Sequence, residues 1–330
     1  MSLSEPPRLL VVKLSSLGDL FHALPIVRIL KQATGAAIDW VTQTEYVDLV
    51  GCFEDVDRVI GFPRKHPSKM GKFLYELRKQ RYDRILDLQG LLKSAWIVRA
   101  ARGGERIGPS FHREGSHHFY NRVAGPCNKE RHAVDELLDF ADLLGLPKTT
   151  PEFPVHFPPF VTDTPRPRIA LIPRSRWDTK NWPAVRFGEL ANRLRELCAP
   201  SLFIVGGRED LVACDEIQAA APFVENLAGS TTLVGLGSLL AAMDLAITVD
   251  TGPMHMAAAA GTPVLALFGA TDPVRTGPYG PDHRVLVTDG LDCRPCRSRI
   301  CARGDLACLD RLDVEHVAQA AVEMVERAKR

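Results

Sequence analysis

Two series of short apolar runs alternate along the chain with segments of helical periodicity. The first series comprises RLLVVKL (8–14), AIDWVT (37–42), DRVIGF (57–62) and DRILDLQ (83–89). The second begins at RIALIP (168–173) and continues through SLFIVGG, LAITVD and PVLALFG. Short β-branched runs separated by amphipathic helices are typical of parallel sheets that helices cover on both faces. The sequence therefore predicts an α/β chain of two Rossmann-like, doubly wound domains that face each other across a cleft.

A proline-rich segment separates the two series. Residues 151–168 read PEFPVHFPPFVTDTPRPR, and closely spaced prolines cannot sustain a helix. Because 330 residues are long for one hydrophobic core and sufficient for two, we predict two domains joined by this segment. The first domain spans 1–160, the linker 161–168 and the second domain 169–330. The second domain ends in a helix that carries one apolar stripe, formed by Val314, Val317, Ala321 and Val325.

The bulk composition is that of a globular protein, with 45% hydrophobic and 25% charged residues. No apolar run reaches the roughly 18 residues that a membrane-spanning helix needs. The N-terminal sequence MSLSEPPRLLVVKL lacks the basic-then-apolar pattern of a signal peptide, because its apolar stretch is a short strand. We therefore expect a cytoplasmic protein that makes at most peripheral contact with the inner face of the cytoplasmic membrane. Neither domain carries G-x-G-x-x-G, the fingerprint of a nicotinamide dehydrogenase.

The net charge of +1 conceals a strong asymmetry between the two halves of the chain. Between Arg58 and Arg131 there are 17 Lys and Arg residues against 6 Asp and Glu residues. Solvated helix faces account for part of this excess. Its concentration in one half nevertheless predicts an anionic partner for the first domain. Nucleic acid is disfavoured as that partner, because no aromatic-rich basic motif or helix-turn-helix pattern accompanies the charge.

The string DTGPMHMAAAAGTP, which begins at Asp250, follows a buried strand and opens a helix. Asp250 or Thr251 can cap that helix, and Pro253 suits its first turn. Gly252 allows a ligand close to the backbone, and His255 lies one turn further along. An ordinary strand–turn–helix unit needs the cap but not the whole string. Since helix N-termini at the carboxyl edge of a sheet favour anions, we interpret the string as a diphosphate site for a nucleotide sugar.

Five motifs together resemble the bacterial lipopolysaccharide heptosyltransferase family, enzymes of the GT-B fold that use ADP-heptose. The motifs are KLSSLGDLFHALP (13–25), DLQGLLKSA (87–95), REGSHHFYNR (113–122), RWDTKNWP (176–183) and DTGPMHMAAAAGTPVLALFG (250–269). The resemblance covers nearly the whole chain, and the first and last motifs are the most specific. It implies inverting transfer of a heptose from ADP-heptose to an anionic inner-core lipopolysaccharide acceptor. This acceptor is expected to be a lipid-linked molecule or a glycan, and no cofactor is expected to be required for catalysis.

Other functions remain compatible with the same motifs. Relatives act on other acceptors, so a heptosyltransferase for a protein or a different glycan is one alternative. A nucleotide-sugar epimerase built on the GT-B architecture is a second. A protein that binds nucleotide sugars without catalysis is a third, and ADP release in the presence of an acceptor distinguishes it from an enzyme.

The resemblance assigns the catalytic base to Asp19, in the loop after the first strand. Inverting transfer needs one carboxylate to take the proton of the acceptor hydroxyl while the nucleotide leaves from the opposite face of the sugar. A helix cap without a chemical role is the alternative for Asp19, because a helix begins at about this residue. Ser15, Ser16 and Gly18 are expected to shape the same loop, with its N–H groups near the donor or acceptor.

On the donor side, Lys180 is expected to place a positive charge on the diphosphate as negative charge builds on the departing ADP. Trp182 is expected to pack beneath it. Glu209 follows a strand and, by the same resemblance, accepts hydrogen bonds from the ribose hydroxyls, although an acid favoured by a helix dipole is nearly as good an interpretation. The full set of predicted donor-binding residues is Ser16, Gly18, Lys180, Glu209, Asp250, Thr251, Gly252 and His255, and the predicted catalytic residues are Asp19 and Lys180.

A further set of side chains is a candidate for the acceptor's carboxylates or phosphates. These residues lie where the fourth strand meets its helix and in the loops that follow, and arginine recognises such anions bidentately. They are Asp87, Gln89, Lys93, Arg113, Asn121, Arg122 and His132.

Eight cysteines in a cytoplasmic chain are expected to be mostly reduced. Four are scattered and are expected to pack as small hydrophobic residues, namely Cys52, Cys127, Cys198 and Cys214. The other four form the pattern C-x2-C-x4-C-x6-C at Cys293, Cys296, Cys301 and Cys308. Four thiols in so short a segment suit a structural zinc or iron site. A reduced or disulfide-bridged loop without metal is the alternative.

Overall fold

The computed structural model describes residues 6–128 and 130–328, and the chain divides into two units, Met1–His156 and Phe157–Arg330. The observed boundary thus lies four residues before the end of the predicted first domain. Val155 pairs with Phe53 in an isolated antiparallel bridge of the N-terminal unit. In the C-terminal unit, the ring of Phe157 lies where a side chain at Gly237 would be.

The N-terminal unit is built on one sheet of six parallel strands in the order β3-β2-β1-β4-β5-β6. The strands are β1 Arg8–Val12, β2 Ala37–Gln43, β3 Arg58–Phe62, β4 Arg81–Asp87, β5 Arg102–Pro109 and β6 Arg122–Ala124. The helices are α1 Leu17–His22, α2 Leu24–Thr34, α3 Val47–Val50, α4 Met70–Arg78, α5 Leu92–Ala100 and α6 Ala133–Leu144.

The C-terminal unit repeats the same plan, with six parallel strands in the order β12-β11-β10-β7-β8-β9. The strands are β7 Arg168–Ile172, β8 Ser201–Ile204, β9 Glu225–Asn226, β10 Leu245–Val249, β11 Val264–Phe268 and β12 Arg284–Val287. The helices are α7 Ala184–Cys198, α8 Leu211–Ala220, α9 Leu233–Ala241, α10 Gly252–Ala259, α11 Pro273–Thr276, α12 Ala307–Asp310 and α13 Val314–Ala328.

Apolar runs form the centre of each sheet because both faces of a doubly wound sheet are buried. Every residue of β10 and of β11 is buried, and so is all of β1 except its first residue. The terminal helix α13 packs against α7 with Val317, Ala321 and Val325 buried, which confirms three members of the predicted stripe. No helix in 6–128 or 130–328 is both long and apolar enough to span a membrane.

The strand order fixes where a ligand site can form in each unit. In a sheet of this topology the chain reverses direction of winding between the first and fourth strands, and a crevice opens at their carboxyl ends. In the N-terminal unit those neighbouring strands are β1 and β4, and in the C-terminal unit they are β7 and β10. The loops after these four strands contain most of the predicted site residues.

Candidate active site

The loop between β1 and α1 holds Asp19 in the first turn of a helix that begins at Leu17, two residues earlier than predicted. Asp19 Oδ2 accepts hydrogen bonds from the Ser16 amide at 2.8 Å and the Ser16 hydroxyl at 2.9 Å. The carboxylate therefore does cap its own helix, as the alternative interpretation held. Its side chain is still 41% exposed, so it remains accessible to a substrate hydroxyl.

Two residues that the sequence did not single out lie beside Asp19. His22 is buried, and its Nδ1 lies 3.8 Å from Asp19 Oδ1. Lys13 is buried as well, and its ammonium donates to the Leu88 carbonyl at 2.7 Å. Burial lowers the pKa of Lys13, and the charge of Asp19 is the strongest of the carboxylate charges that oppose this shift. The feature of the sequence that could have identified Lys13 is a lysine near the end of an otherwise apolar run.

Asp87, at the end of β4, is fully buried and organises the loop that follows it. Its carboxylate accepts from the amides of Gln89 at 2.9 Å and Gly90 at 3.0 Å, and from the Tyr120 hydroxyl at 2.8 Å. Burial raises its pKa, and these hydrogen bonds oppose the shift. Gly90 has a φ of +72°, which favours glycine in this turn. Asp87 therefore shapes the site, and it is not placed to contact an acceptor as predicted.

Gln89 connects the two loops at the switch point of the N-terminal sheet. Its side-chain oxygen accepts from the amides of Leu14 and Ser15, both at 3.1 Å. These bonds join the loop after β4 to the loop that carries Asp19. Gln89 is consequently a positioning residue, with its oxygen already occupied.

The other predicted acceptor residues form two groups, of which the first comprises Arg113, Lys93 and His132. Arg113 is exposed, and its amide donates to the Gly90 carbonyl at 2.8 Å, which anchors it at the switch point. Lys93 is half-buried; burial lowers its pKa, and the nearby charge of Arg64 adds to the shift. Arg64 follows β3 and was counted in the basic excess without being singled out. His132 belongs to the same group because its ring centroid lies 5.6 Å from that of His22.

The remaining two predicted acceptor residues have intramolecular partners. Arg122 forms an ion pair with Glu105 at 3.0 Å and donates to the Leu143 carbonyl at 2.9 Å. Asn121 Oδ1 accepts from the Arg106 amide at 2.7 Å, beside the start of β6. The structure does not bring either side chain to Asp19.

In the C-terminal unit, Lys180 and Asp250 meet at the switch point between β7 and β10. Lys180 Nζ lies 2.7 Å from Asp250 Oδ2, and the two side chains are 18% and 5% exposed. The Thr271 hydroxyl donates to the same carboxylate oxygen at 2.6 Å. The ring beneath Lys180 is that of Trp177, with Nζ 4.8 Å from its centroid. The prediction for Trp182 was wrong, because that indole is buried in the core.

The helix α10 begins beside this ion pair. Thr251 is its N-cap, but neither side chain that was expected to cap it does so: Thr251 makes no capping hydrogen bond, and Asp250 pairs with Lys180. Gly252 and Pro253 form the first turn, and His255 is buried one turn later. A helix start without a side-chain cap suits an external anion, since first-turn amides need acceptors.

Glu209 is exposed in the loop after β8. The neighbouring Asp210 is the residue that serves the helix, because its carboxylate accepts from the Gly207 amide at 2.8 Å. Glu209 lies in the same first turn, so both the ribose role and the alternative of an acid favoured by the helix dipole stay predictions for it. Sequence reasoning also missed Asn181, which is buried in the loop after β7. Its Oδ1 accepts from the Ser175 amide at 2.7 Å and so connects the two ends of this loop.

The segment 288–306, which we name the Cys loop, contains no helix or strand of its own. Cys293 and Cys296 are exposed, Cys301 is half-buried, and Cys308 lies buried in α12. Backbone N–H groups, that of Leu306 foremost, lower the pKa of Cys301. Burial raises the pKa of Cys308; the charge of Arg294 opposes this shift, and the charges of Cys296 and Cys301 add to it.

The described part of the chain contains no ready-formed group of three or more metal-binding side chains, so the structure does not show the predicted metal site. All eight cysteines are free thiols. Among the four scattered ones, only Cys214 is fully buried as predicted. Cys127 is exposed, which corrects the expectation that it packs in the core.

Known proteins share both the sequence and the fold. The profile of glycosyltransferase family 9 (heptosyltransferase) matches residues 70–307. Lipopolysaccharide heptosyltransferase 1 of Pseudomonas aeruginosa is 31% identical over 89% of this chain and 87% of its own length. The structure of E. coli heptosyltransferase WaaC with ADP has a TM-score of 0.79 at 28% identity, covering 96% of this chain and 99% of that chain. WaaC with ADP-2-deoxy-2-fluoro heptose gives 0.76 at 27% identity, with the same coverage of both chains.

Two doubly wound units, with the site residues on the loops at their switch points, define a glycosyltransferase of the GT-B class. The chain belongs to glycosyltransferase family 9, the heptosyltransferases. The fold class, the family and the enzyme class expected from the sequence are thereby confirmed.

Proposed function

We propose that the protein transfers a heptose, with inversion, from ADP-heptose to an anionic inner-core lipopolysaccharide acceptor. The observation that carries the proposal is the Lys180–Asp250 ion pair beside the start of α10. A cation next to a helix start without a side-chain cap is suited to a diphosphate. The related WaaC structures hold ADP and an ADP-heptose analogue, and the P. aeruginosa relative is named for lipopolysaccharide.

In the proposed reaction, the acceptor hydroxyl oxygen attacks the anomeric carbon of the heptose. Asp19 takes the proton of that hydroxyl, and the bond from the anomeric carbon to the ADP oxygen breaks with its electron pair on ADP. Lys180 stabilises the negative charge that develops on the diphosphate. The two hydrogen bonds from Ser16 fix the orientation of the Asp19 carboxylate, and both of them engage its Oδ2.

The two units divide these tasks. We assign acceptor binding and the base to residues 1–160, and the nucleotide sugar to 169–330. In the donor site, Glu209 binds the ribose, while Thr251, Gly252 and His255 line the diphosphate at the start of α10. We assign Arg113, Lys93 and Arg64 to a cationic surface for the acceptor, and an acceptor with phosphate or carboxylate groups complements it. His132, whose Nδ1 accepts from the Val134 amide, is assigned to the same surface as a polar residue.

A donor-by-acceptor assay tests this function. Purified protein is incubated with ADP-heptose or a UDP-sugar, and with a truncated inner-core lipid, a glycan or a protein as acceptor. We expect ADP release and a heptosylated lipid product only with ADP-heptose and the inner-core lipid. Donor binding without ADP release would indicate a passive binding protein, and turnover of a UDP-sugar alone would overturn the donor assignment.

We also propose that Cys293, Cys296, Cys301 and Cys308 hold one structural zinc or iron ion. Thiolates are the ligands that both metals accept in four-coordinate sites. The Cys301 sulfur already accepts backbone N–H groups, and the charges of Cys296 and Cys301 both act on the Cys308 thiol. Since the Cys loop lacks regular structure, ligation would supply order that the segment does not generate itself.

Elemental analysis tests the metal proposal on protein made without a metal-binding tag. We expect about one zinc or iron per chain in the wild type, as one four-thiolate site requires. The Cys296→Ser/Cys301→Ser variant should lose it, whereas Cys52→Ser/Cys127→Ser, which removes two thiols outside the cluster, should retain it. Less than about a tenth of an equivalent in the wild type, with the four thiols freely titratable, would refute the site.

Finally, we propose that the protein is cytoplasmic and that the N-terminal unit touches an anionic membrane surface. The free state of all eight cysteines suits a reducing compartment. On adjacent helices α4 and α5, Tyr75, Leu92 and Trp96 are 67%, 46% and 42% exposed, within the basic half of the chain. Exposed aromatic side chains among cations suit the headgroup region of a bilayer.

Co-sedimentation with vesicles tests this contact. We expect binding to vesicles that contain anionic lipid, weak binding to neutral vesicles, and a loss of binding of several-fold or more in Tyr75→Ser/Trp96→Ser. Val185→Ser/Val212→Ser is the matched control, because it removes two exposed apolar side chains from the C-terminal unit. Equal sedimentation of both variants would argue against the α4–α5 surface.

A further inference from the structure

The Cys loop lies directly against the donor-side motifs, although it is distant from most of them in sequence. The Arg294 side chain donates to the Gly269 carbonyl at 2.7 Å. The Arg297 amide donates to the Ala270 carbonyl, also at 2.7 Å. Gly269 and Ala270 follow β11, one strand away from Asp250, and lead directly to the threonine that bonds that carboxylate. The loop is thus attached to the carboxyl edge of the C-terminal sheet.

A second attachment reaches the segment that carries Lys180. The hydroxyl of Thr179, which is buried, donates to the Ser298 carbonyl at 2.7 Å. The Arg297 guanidinium also forms an ion pair with Asp272 at 3.0 Å. The residues around Ser298 are therefore held between the loop after β7 and the loop after β11.

These attachments bring Arg299 to the indole that also contacts Lys180. The Arg299 guanidinium carbon lies 4.9 Å from the centroid of the Trp177 ring, and Lys180 Nζ lies 4.8 Å from the same centroid. One indole thus contacts two cations that are more than a hundred positions apart in the sequence. Because an aromatic ring attracts cations to its face, Trp177 can hold both side chains near one ligand.

The charge balance distinguishes the two cations. Lys180 is already neutralised by Asp250. Arg299 is exposed, and throughout 6–128 and 130–328 its guanidinium has no carboxylate partner and no hydrogen bond. A nucleoside diphosphate carries several negative charges, more than the already paired Lys180 can neutralise. A guanidinium presents donors in a planar fork that matches phosphate oxygens.

We infer that Arg299 is a second cationic residue of the donor site and contacts the diphosphate of the nucleotide sugar. In that arrangement the Cys loop forms part of the donor-binding site, and it is not only an extension of the C-terminal unit. This inference rests on the proposed function in one respect, namely that Lys180 and α10 bind the diphosphate. It gives the Cys loop a role that is independent of whether it holds metal.

Calorimetric titration with ADP and with adenosine tests Arg299. In Arg299→Gln we expect ADP to bind about 10-fold more weakly, which is the size expected for loss of one charge-assisted contact. Adenosine, which lacks the diphosphate, should bind within about 2-fold of the wild type. Arg299→Lys should retain part of the ADP affinity. Arg303→Gln is the matched control, since Arg303 lies in the same loop but pairs with Asp305 at 3.0 Å.

The outcomes separate this inference from the proposed function. Failure of the wild type to bind ADP would overturn both. If the wild type binds ADP and Lys180→Gln weakens it, but Arg299→Gln binds like Arg303→Gln, only the assignment of Arg299 is overturned. Equal weakening of ADP and adenosine in Arg299→Gln would indicate a merely structural loop residue and would also overturn the assignment.

Discussion

Replacing Asp19 with Asn is expected to lower the rate of heptose transfer by about 10²–10⁴-fold, the usual effect of removing a general base. The affinity for ADP should stay within a few-fold, because Asp19 acts on the acceptor. The substitution is also mild for the fold. An Asn side-chain oxygen can accept the same two hydrogen bonds from Ser16, so the first turn of α1 stays capped.

The experiment combines steady-state kinetics, ADP titration and thermal unfolding. Asp48→Asn is the control, since it removes an exposed carboxylate from the first turn of another helix in the same unit. It should leave kcat and the melting temperature almost unchanged. Turnover close to wild type in Asp19→Asn would remove Asp19 from the mechanism, and a large fall in melting temperature would show that capping is its main role.

The strands that the sequence predicted are those that carry a continuous apolar run. Runs such as LAITV in β10 and VLALF in β11 are buried on both faces, so their composition alone is informative. The strand β5 reads RGGERIGP and has no such run. It forms because it pairs with β4 at the edge of the apolar core, and this pairing is not encoded in its own composition.

The family resemblance selected Asp19, Lys180 and Asp250, and the fold places them in the segments that follow β1, β7 and β10; their roles stay predictions. Contacts between distant parts of the chain could not be predicted. Gln89 bonds the amides of Leu14 and Ser15, which lie about 75 positions earlier. The sequence pattern identifies such a residue as polar and loop-borne, but only the fold shows that its oxygen is already occupied.

The same limitation explains two of the corrected assignments. Asp87 has the residue type and position of a ligand-binding carboxylate, yet its burial and its three donors make it the support of a turn. RWDTKNWP contains two tryptophans, and the sequence did not show which one faces Lys180. The fold turns Trp182 into the core against Phe187, and Trp177 toward the ammonium group.

Replacing Lys180 with Gln is expected to lower kcat by about 10²–10³-fold, in the range found for removal of one group that stabilises transition-state charge. ADP affinity should fall as well, because the same ammonium faces the diphosphate before reaction. This variant also leaves Asp250 nearly buried without its cation. Removing one partner of a buried ion pair commonly destabilises a protein by about 3–5 kcal/mol, although the Thr271 hydroxyl bond reduces the effect here.

A double variant separates the catalytic effect of Lys180 from the structural one. In Lys180→Gln/Asp250→Asn the buried charge is removed together with its partner, so most of the lost stability should return. Transfer should stay as slow as in Lys180→Gln, because no ammonium remains to stabilise the departing ADP. If restoring the melting temperature also restored turnover, Lys180 would be a structural partner of Asp250, and the diphosphate would depend on α10 and on Arg299 for its charge stabilisation.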